Sequence, residues 1–328
     1  MNERKRETIG HRPPFPYSPL SSTEMAACER VVETDGLTKR YGDRLAVDRV
    51  SMTVMRGEVY GFLGPNGAGK TTTLRMMLGL IRPTAGSASV LGRPAGRPEV
   101  TARIGALIEG PGFYPYLNGR DNLRTMARYQ GLPNTEVDRV LEMVDLADRA
   151  KDAFKGYSLG MKQRLGVAAA MLGSPDLLVL DEPTNGLDPA GMADMRALVV
   201  ALAEAGQTVI LSSHILAEVQ EICDRVGVIN NGRLLRESTV ADLRGGATLR
   251  VRATPEDAAL AALMRMAGDE GVRRIGNETL EVDLPVTAAP DVVRQLVAHS
   301  IDVHEVTVAE RSLEDVFFEM TSNKELVS

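Results

Sequence analysis

From about Val31 to Val240, short unbroken apolar runs alternate with longer stretches whose apolar positions recur every three to four residues. EVYGFL precedes TTTLRMMLGLI, LLVLD precedes GMADMRALVVALAEAG, and TVILSS precedes ILAEVQEICD. A strand that is apolar throughout must be covered on both faces, and an amphipathic helix between two such strands supplies the crossover that parallel pairing needs. The pattern therefore predicts an α/β domain with a mostly parallel sheet over residues 29–240. It changes at Gly245 and Gly246. TLRVRA then reads as a strand, PEDAALAALMRMAG as a helix, VRRIGNETLEVDL as two short strands around a turn with Asn277, DVVRQLVAHS as a helix and VHEVTVA as a strand. This βαββαβ order predicts a small ferredoxin-like α+β module within an accessory region, residues 241–328. Residues 1–28 are polar, Pro-rich and aperiodic, which predicts a disordered tail.

The 328 residues are 44% apolar, enough for two cores. Thirty-eight basic against 44 acidic side chains leave a net charge of −6, without the basic excess that marks nucleic-acid binders. Aromatics are only 4% and Trp is absent, which also argues against stacking on single-stranded nucleic acid. No nucleic-acid partner is expected. A membrane-spanning helix needs about 18 or more consecutive apolar residues, and the uncharged run Leu165–Pro175 is too short and broken by glycine. The N-terminus carries no apolar secretory segment, so a cytoplasmic location is expected. Cys28 and Cys223 lack partners at metal-ligand spacing and are read as reduced thiols.

Chemistry enters with Gly64-Pro65-Asn66-Gly67-Ala68-Gly69-Lys70-Thr71, followed by Thr72. The run fits G-x-x-x-x-G-K-[ST] and lies between a predicted strand and a predicted helix, where backbone N–H groups and the helix start can cradle phosphates. Lys70 would reach the β- and γ-phosphates, and the Thr71 hydroxyl would ligate Mg²⁺. The strand LLVLD ends in Asp181 and Glu182. Beside a phosphate loop, Asp181 suits the metal and Glu182 suits a general base for the attacking water.

Between these elements stands Tyr157-Ser158-Leu159-Gly160-Met161-Lys162-Gln163-Arg164. With it the chain resembles the ATP-binding subunits of ABC transporters, whose signature is usually Leu-Ser-Gly-Gly-Gln with a basic, Gln-containing helix start. Ser158, Gly160, Gln163 and Arg164 fit; Tyr157, Leu159 and Met161 depart. The resemblance implies a P-loop ABC ATPase domain with a helical signature subdomain. It places Asp188 of NGLD in the D-loop, His214 of SSHIL as the switch histidine, and Tyr41 where an aromatic stacks on adenine. Glu109 stands where the family normally has a metal-sensing Gln. The pattern LIE-P-FYPYL with YSLGMKQRLG is similar to the branch of bacitracin, lantibiotic and drug exporters, and RSLEDVFFEMT more weakly to an extension found there.

The resemblance further implies ATP with Mg²⁺, hydrolysis, and a two-fold pairing with a second copy or a homologous ATPase subunit, in which Ser158 and Gly160 of one chain meet the γ-phosphate held by the other. Because no segment spans a bilayer, a separate transmembrane permease is implied, contacted through residues 110–122, with the chain peripheral on the inner face of the cell membrane. The competing reading is a soluble ATP-driven clamp acting without a membrane partner. Such relatives usually carry paired ATPase domains or a coiled-coil insertion, and neither is seen here.

Overall fold

The computed structural model describes residues 30–244, 248–276 and 278–309. The predicted tail, Gly245, Gly246, Asn277 and the RSLEDVFFEMT segment lie outside them. In chain order the first part runs β1 (Arg30–Tyr41), β2 (Arg44–Val50), β3 (Thr53–Met55), β4 (Val59–Leu63), α1 (Lys70–Met77), β5 (Ala85–Val90), β6 (Arg93–Pro94), α2 (Pro98–Thr101), β7 (Ile104–Leu107), α3 (Gly119–Tyr129) and α4 (Asn134–Met143). It continues through α5 (Leu159–Ala170), β8 (Leu177–Asp181), α6 (Pro189–Glu204), β9 (Thr208–Ser213), α7 (Leu216–Ile222), β10 (Arg225–Asn230), β11 (Arg233–Thr239) and α8 (Val240–Arg244).

Six strands form the sheet that the apolar runs predict, in the order β11-β10-β4-β9-β8-β7. Every pair in it is parallel except the β10–β11 hairpin. β4, β8 and β9 are buried at every position, as double coverage requires. The helices pack closely on it. A Cβ on Gly61 of β4 would lie 2.8 Å from Val219 of α7, so only glycine allows this approach. One difference from the expected mostly parallel domain is a second, antiparallel sheet, β2-β1-β5-β6 with β3 also on β1. Its long strand β1 carries bulges between Leu37 and Lys39 and again before Arg40, which blur the two-residue alternation that announces such strands. A core including Tyr60, Phe62, Leu74 and Ile210 draws on both sheets and α1; another packs α3 to α7 on the parallel sheet. At the end of that sheet away from the strand tips, Arg225 pairs with Glu58 and Glu237, each at 3.2 Å, and burial pushes Glu58 up to about 7.

The C-terminal part comprises β12 (Thr248–Thr254), α9 (Glu256–Ala267), β13 (Val272–Gly276), β14 (Thr279–Val282), α10 (Ala289–Ala298) and β15 (Asp302–Ala309). This is the βαββαβ order read from the sequence. The strands pair antiparallel as β13-β14-β12-β15, with Leu249, Val251, Leu280 and Val282 facing Leu263 and Leu296 of the helices in one core. Among the described residues no helix is long and apolar enough to cross a membrane.

Candidate active site

Parallel pairing brings the carboxyl ends of β4, β8 and β9 to one edge, where Leu63 lies beside Ser213 and Asp181 beside Ser212. The phosphate loop leaves β4 at this edge and turns into α1. Two glycines are demanded by the backbone itself. Gly69 has φ 108°, and a Cβ there would also sit 2.7 Å from the Ala46 carbonyl oxygen; a Cβ on Gly64 would collide with the carbonyl of Ile229.

Lys70, the first residue of α1, is 4% exposed. Its ammonium donates to the carbonyls of Gly64 at 2.7 Å and Pro65 at 3.2 Å, and pairs with Glu182 Oε1 at 3.0 Å. The Thr71 hydroxyl donates to Asp181 Oδ2 at 2.7 Å, and the Ser212 hydroxyl donates to Oδ1 at 2.5 Å. A hydroxyl beside a carboxylate is a hard oxygen pair, which fits an ion such as Mg²⁺ that takes one or two protein ligands and completes its shell with water and phosphate. Among the described residues no three His, Cys, Asp or Glu side chains gather to hold a metal alone, so phosphate oxygens would have to share it.

Glu182 follows the strand end with φ 48°, a conformation few side chains adopt, held by its N–H donating to the Ser212 carbonyl and hydroxyl. Its Oε2 lies 3.2 Å from His214 Nδ1, so the carboxylate stands between Lys70 and the histidine. The loop, Asp181 and Glu182 line a cleft of about 490 Å³ through Asn66, Gly67, Gly69, Lys70, Thr71 and Thr72. Gly64, Pro65 and Ala68 belong to the same loop but not to the cleft wall.

Glu109 also reaches the cleft, but its Oε2 is 2.5 Å from Arg75 Nη2, so a cation already balances its charge. Tyr41 ends β1 half-exposed, with the Lys39 ammonium 5.1 Å from its ring centre, outside the cleft wall. Ser158 caps α5 by accepting from the Met161 N–H at 3.2 Å, and Asp188 caps α6 by accepting from Gly191 at 2.9 Å. Ser158, Gly160, Asp188 and His214 do not line the cleft. Arg44, Ala46, Gly110, Gln163 and Asn185 do, and sequence reasoning did not expect them there. Gln163 and Asn185 stood inside quoted motifs, which was a usable signal. Arg44 and Ala46 arrive from the antiparallel sheet, and no local pattern announces that. Cys223 is buried, which pushes its thiol well above the usual range.

A phosphate loop at the edge of a parallel sheet, with a carboxylate pair on the neighbouring strand end, defines a P-loop nucleoside triphosphatase. Residues 47–185 match the family model described as ABC transporter. The chain is 40% identical over 296 residues to the bacitracin transport ATP-binding protein BcrA of Bacillus licheniformis, covering 88% of this chain and 97% of that one. It is 36% identical over 310 residues to the daunorubicin resistance ATP-binding protein DrrA3 of Streptomyces coeruleorubidus, covering 90% and 97%. A solved ATP-binding subunit of an ABC transporter superposes with a TM-score of 0.59 at 31% identity, over 65% of this chain and 92% of that one. The chain belongs to the ATP-binding subunits of ABC transporters; it binds ATP and is an ATPase.

Proposed function

We propose that the chain powers an exporter of the antibiotic, peptide or drug type, two ATPase subunits closing on two Mg²⁺-ATP molecules beneath a separate transmembrane permease. The names of its relatives support the cargo class. The observation that carries the mechanism is the Glu182 carboxylate held between Lys70 and His214.

The N–H groups of Asn66, Gly67 and Gly69 to Thr72 and the Lys70 ammonium grip the triphosphate, since Pro65 has no N–H and those of Gly64 and Ala68 already donate to the Ser213 and Pro65 carbonyls. Thr71 and Asp181 would hold Mg²⁺, with Glu109 lining the same cleft, and the ion would offset phosphate charge. Glu182 accepts the proton of the attacking water while His214 orients it. Tyr41 offers an exposed ring to adenine. Ser158 is exposed and outside its own cleft, as a group that completes the site of a second subunit must be; Gly160 and Asp188, also outside that cleft, share the role. The partner subunit is a second copy or a homologue.

A groove of about 770 Å³ lies beside residues 110–122, lined by Ile108, Pro111, Phe113, Met126, Leu132 and Leu172. With Tyr116 73% exposed nearby, it suits an amphipathic segment of the permease, which would hold the chain against the inner face of the membrane.

Glu182→Gln removes the base but keeps the oxygen shape. Turnover is expected to fall by about 10²–10⁴-fold with ATP binding retained, and the ATP-loaded variant should elute as a dimer in size-exclusion chromatography. Retained turnover overturns the assignment.

A further inference from the structure

Five of the polar side chains that line the cleft have partners. Lys70, Thr71, Asp181 and Glu182 are hydrogen-bonded or ion-paired, and Glu109 is held by Arg75. Gln163 differs. It lines the cleft and is 8% exposed, and its Oε1 is buried with no hydrogen-bond partner among the described residues. A buried acceptor without a donor is unfavourable, and such groups are rare in folded proteins.

Its place in the helix gives the isolated acceptor a use. Gln163 lies one turn before Gly166 on the same side of α5. A Cβ on Gly166 would meet Leu107 Cδ1 at 2.9 Å and Pro111 Cβ at 3.3 Å, so the helix presses there on the end of β7 and the segment after it. That contact fixes the middle of α5, and Gln163 sits on the turn between it and the capped start at Ser158. A triphosphate presents acceptors only, so the donor it can bring to Gln163 is its water of hydration.

We propose that Gln163 is a positioning residue of this chain's own ATP site, its carboxamide accepting a hydrogen bond from water carried in with the nucleotide and so tying the first turn of α5 to the loaded state. The inference rests on the placement of ATP in this cleft. It links the site a chain fills to the Ser158 and Gly160 turn it offers its partner.

The full-length chain would be compared with Gln163→Met, close in volume but without the carboxamide. The kcat for ATP is expected to fall about tenfold, the loss of roughly one hydrogen bond in the transition state. Affinity for a fluorescent ATP analogue should stay unchanged, and the melting temperature of the ligand-free protein should hold or rise, because a buried acceptor without a donor is removed. Gln163→Glu, which keeps an acceptor, should recover part of the rate. A wild-type kcat in Gln163→Met, or a loss of rate matched by losses of melting temperature and nucleotide affinity, overturns the proposal. If the methionine variant does not fold, Gln163→Asn, which retracts the carboxamide by one methylene, is read by the same criteria. Failure of the wild-type chain to bind the analogue would instead overturn the placement of ATP.

Discussion

Strand β8 is buried at every position from Leu177 to Asp181, whereas β12 alternates buried Leu249, Val251 and Ala253 with exposed Arg250 and Arg252. The two regions show how coverage decides where chemistry can stand. A strand covered on both faces admits a carboxylate only at its tip, so the large sheet gathers Asp181, Glu182, Ser212 and the phosphate loop along one edge. A sheet with one open face spreads its charges along its length. There Arg250 lies 3.7 Å from Glu281 and Arg252 lies 3.5 Å from Glu305, partly exposed pairs of a kind worth little.

Three experiments break or sharpen that contrast. The largest effect is expected from Lys70→Ala at the gathered edge, which removes charge-assisted contacts of about 1.5–3 kcal/mol each. ATP affinity measured by calorimetry should fall by about 100-fold or more, and a loss under about tenfold would mean that binding is not concentrated there. Next comes Leu280→Ala in the C-terminal core. A fully buried leucine lost to a cavity costs about 2–5 kcal/mol, so that region should melt earlier in calorimetry while ATP affinity holds. A fall in affinity would show that the two regions are coupled.

The smallest effect belongs to Glu58→Gln, at the opposite end of the large sheet. Burial holds Glu58 at about 7, above its usual 4.5, so between those values the folded chain keeps a proton that the unfolded chain releases. The stability this group contributes is present below about pH 4.5 and is lost as pH rises to about 7, an effect on the order of 3 kcal/mol. Urea unfolding at pH 5 and pH 8 should show that slope in the wild type and a flatter one in the variant.

The phosphate loop and the acidic strand end were legible because geometry dictates their letters: Gly64 and Gly69 have no room for a side chain, and a doubly covered strand has place for a carboxyl such as that of Asp181 at its tip. That Ser158 and Asp188 each cap a helix comes from the structure, though both residue types suit that position. Ser212 was not legible, since a serine ending an apolar strand gives no hint that its hydroxyl will hold the carboxylate of the next strand. The Arg75 partner of Glu109 was equally hidden, because it lies on a helix far earlier in the chain. Arg44 and Ala46 reach the cleft only because one sheet packs against another.

The ion pair between Lys70 and Glu182 makes the cleft an interlock. The three donors of the ammonium already go to the carbonyls of Gly64 and Pro65 and to Glu182, so each phosphate oxygen that the ammonium takes on displaces one of them.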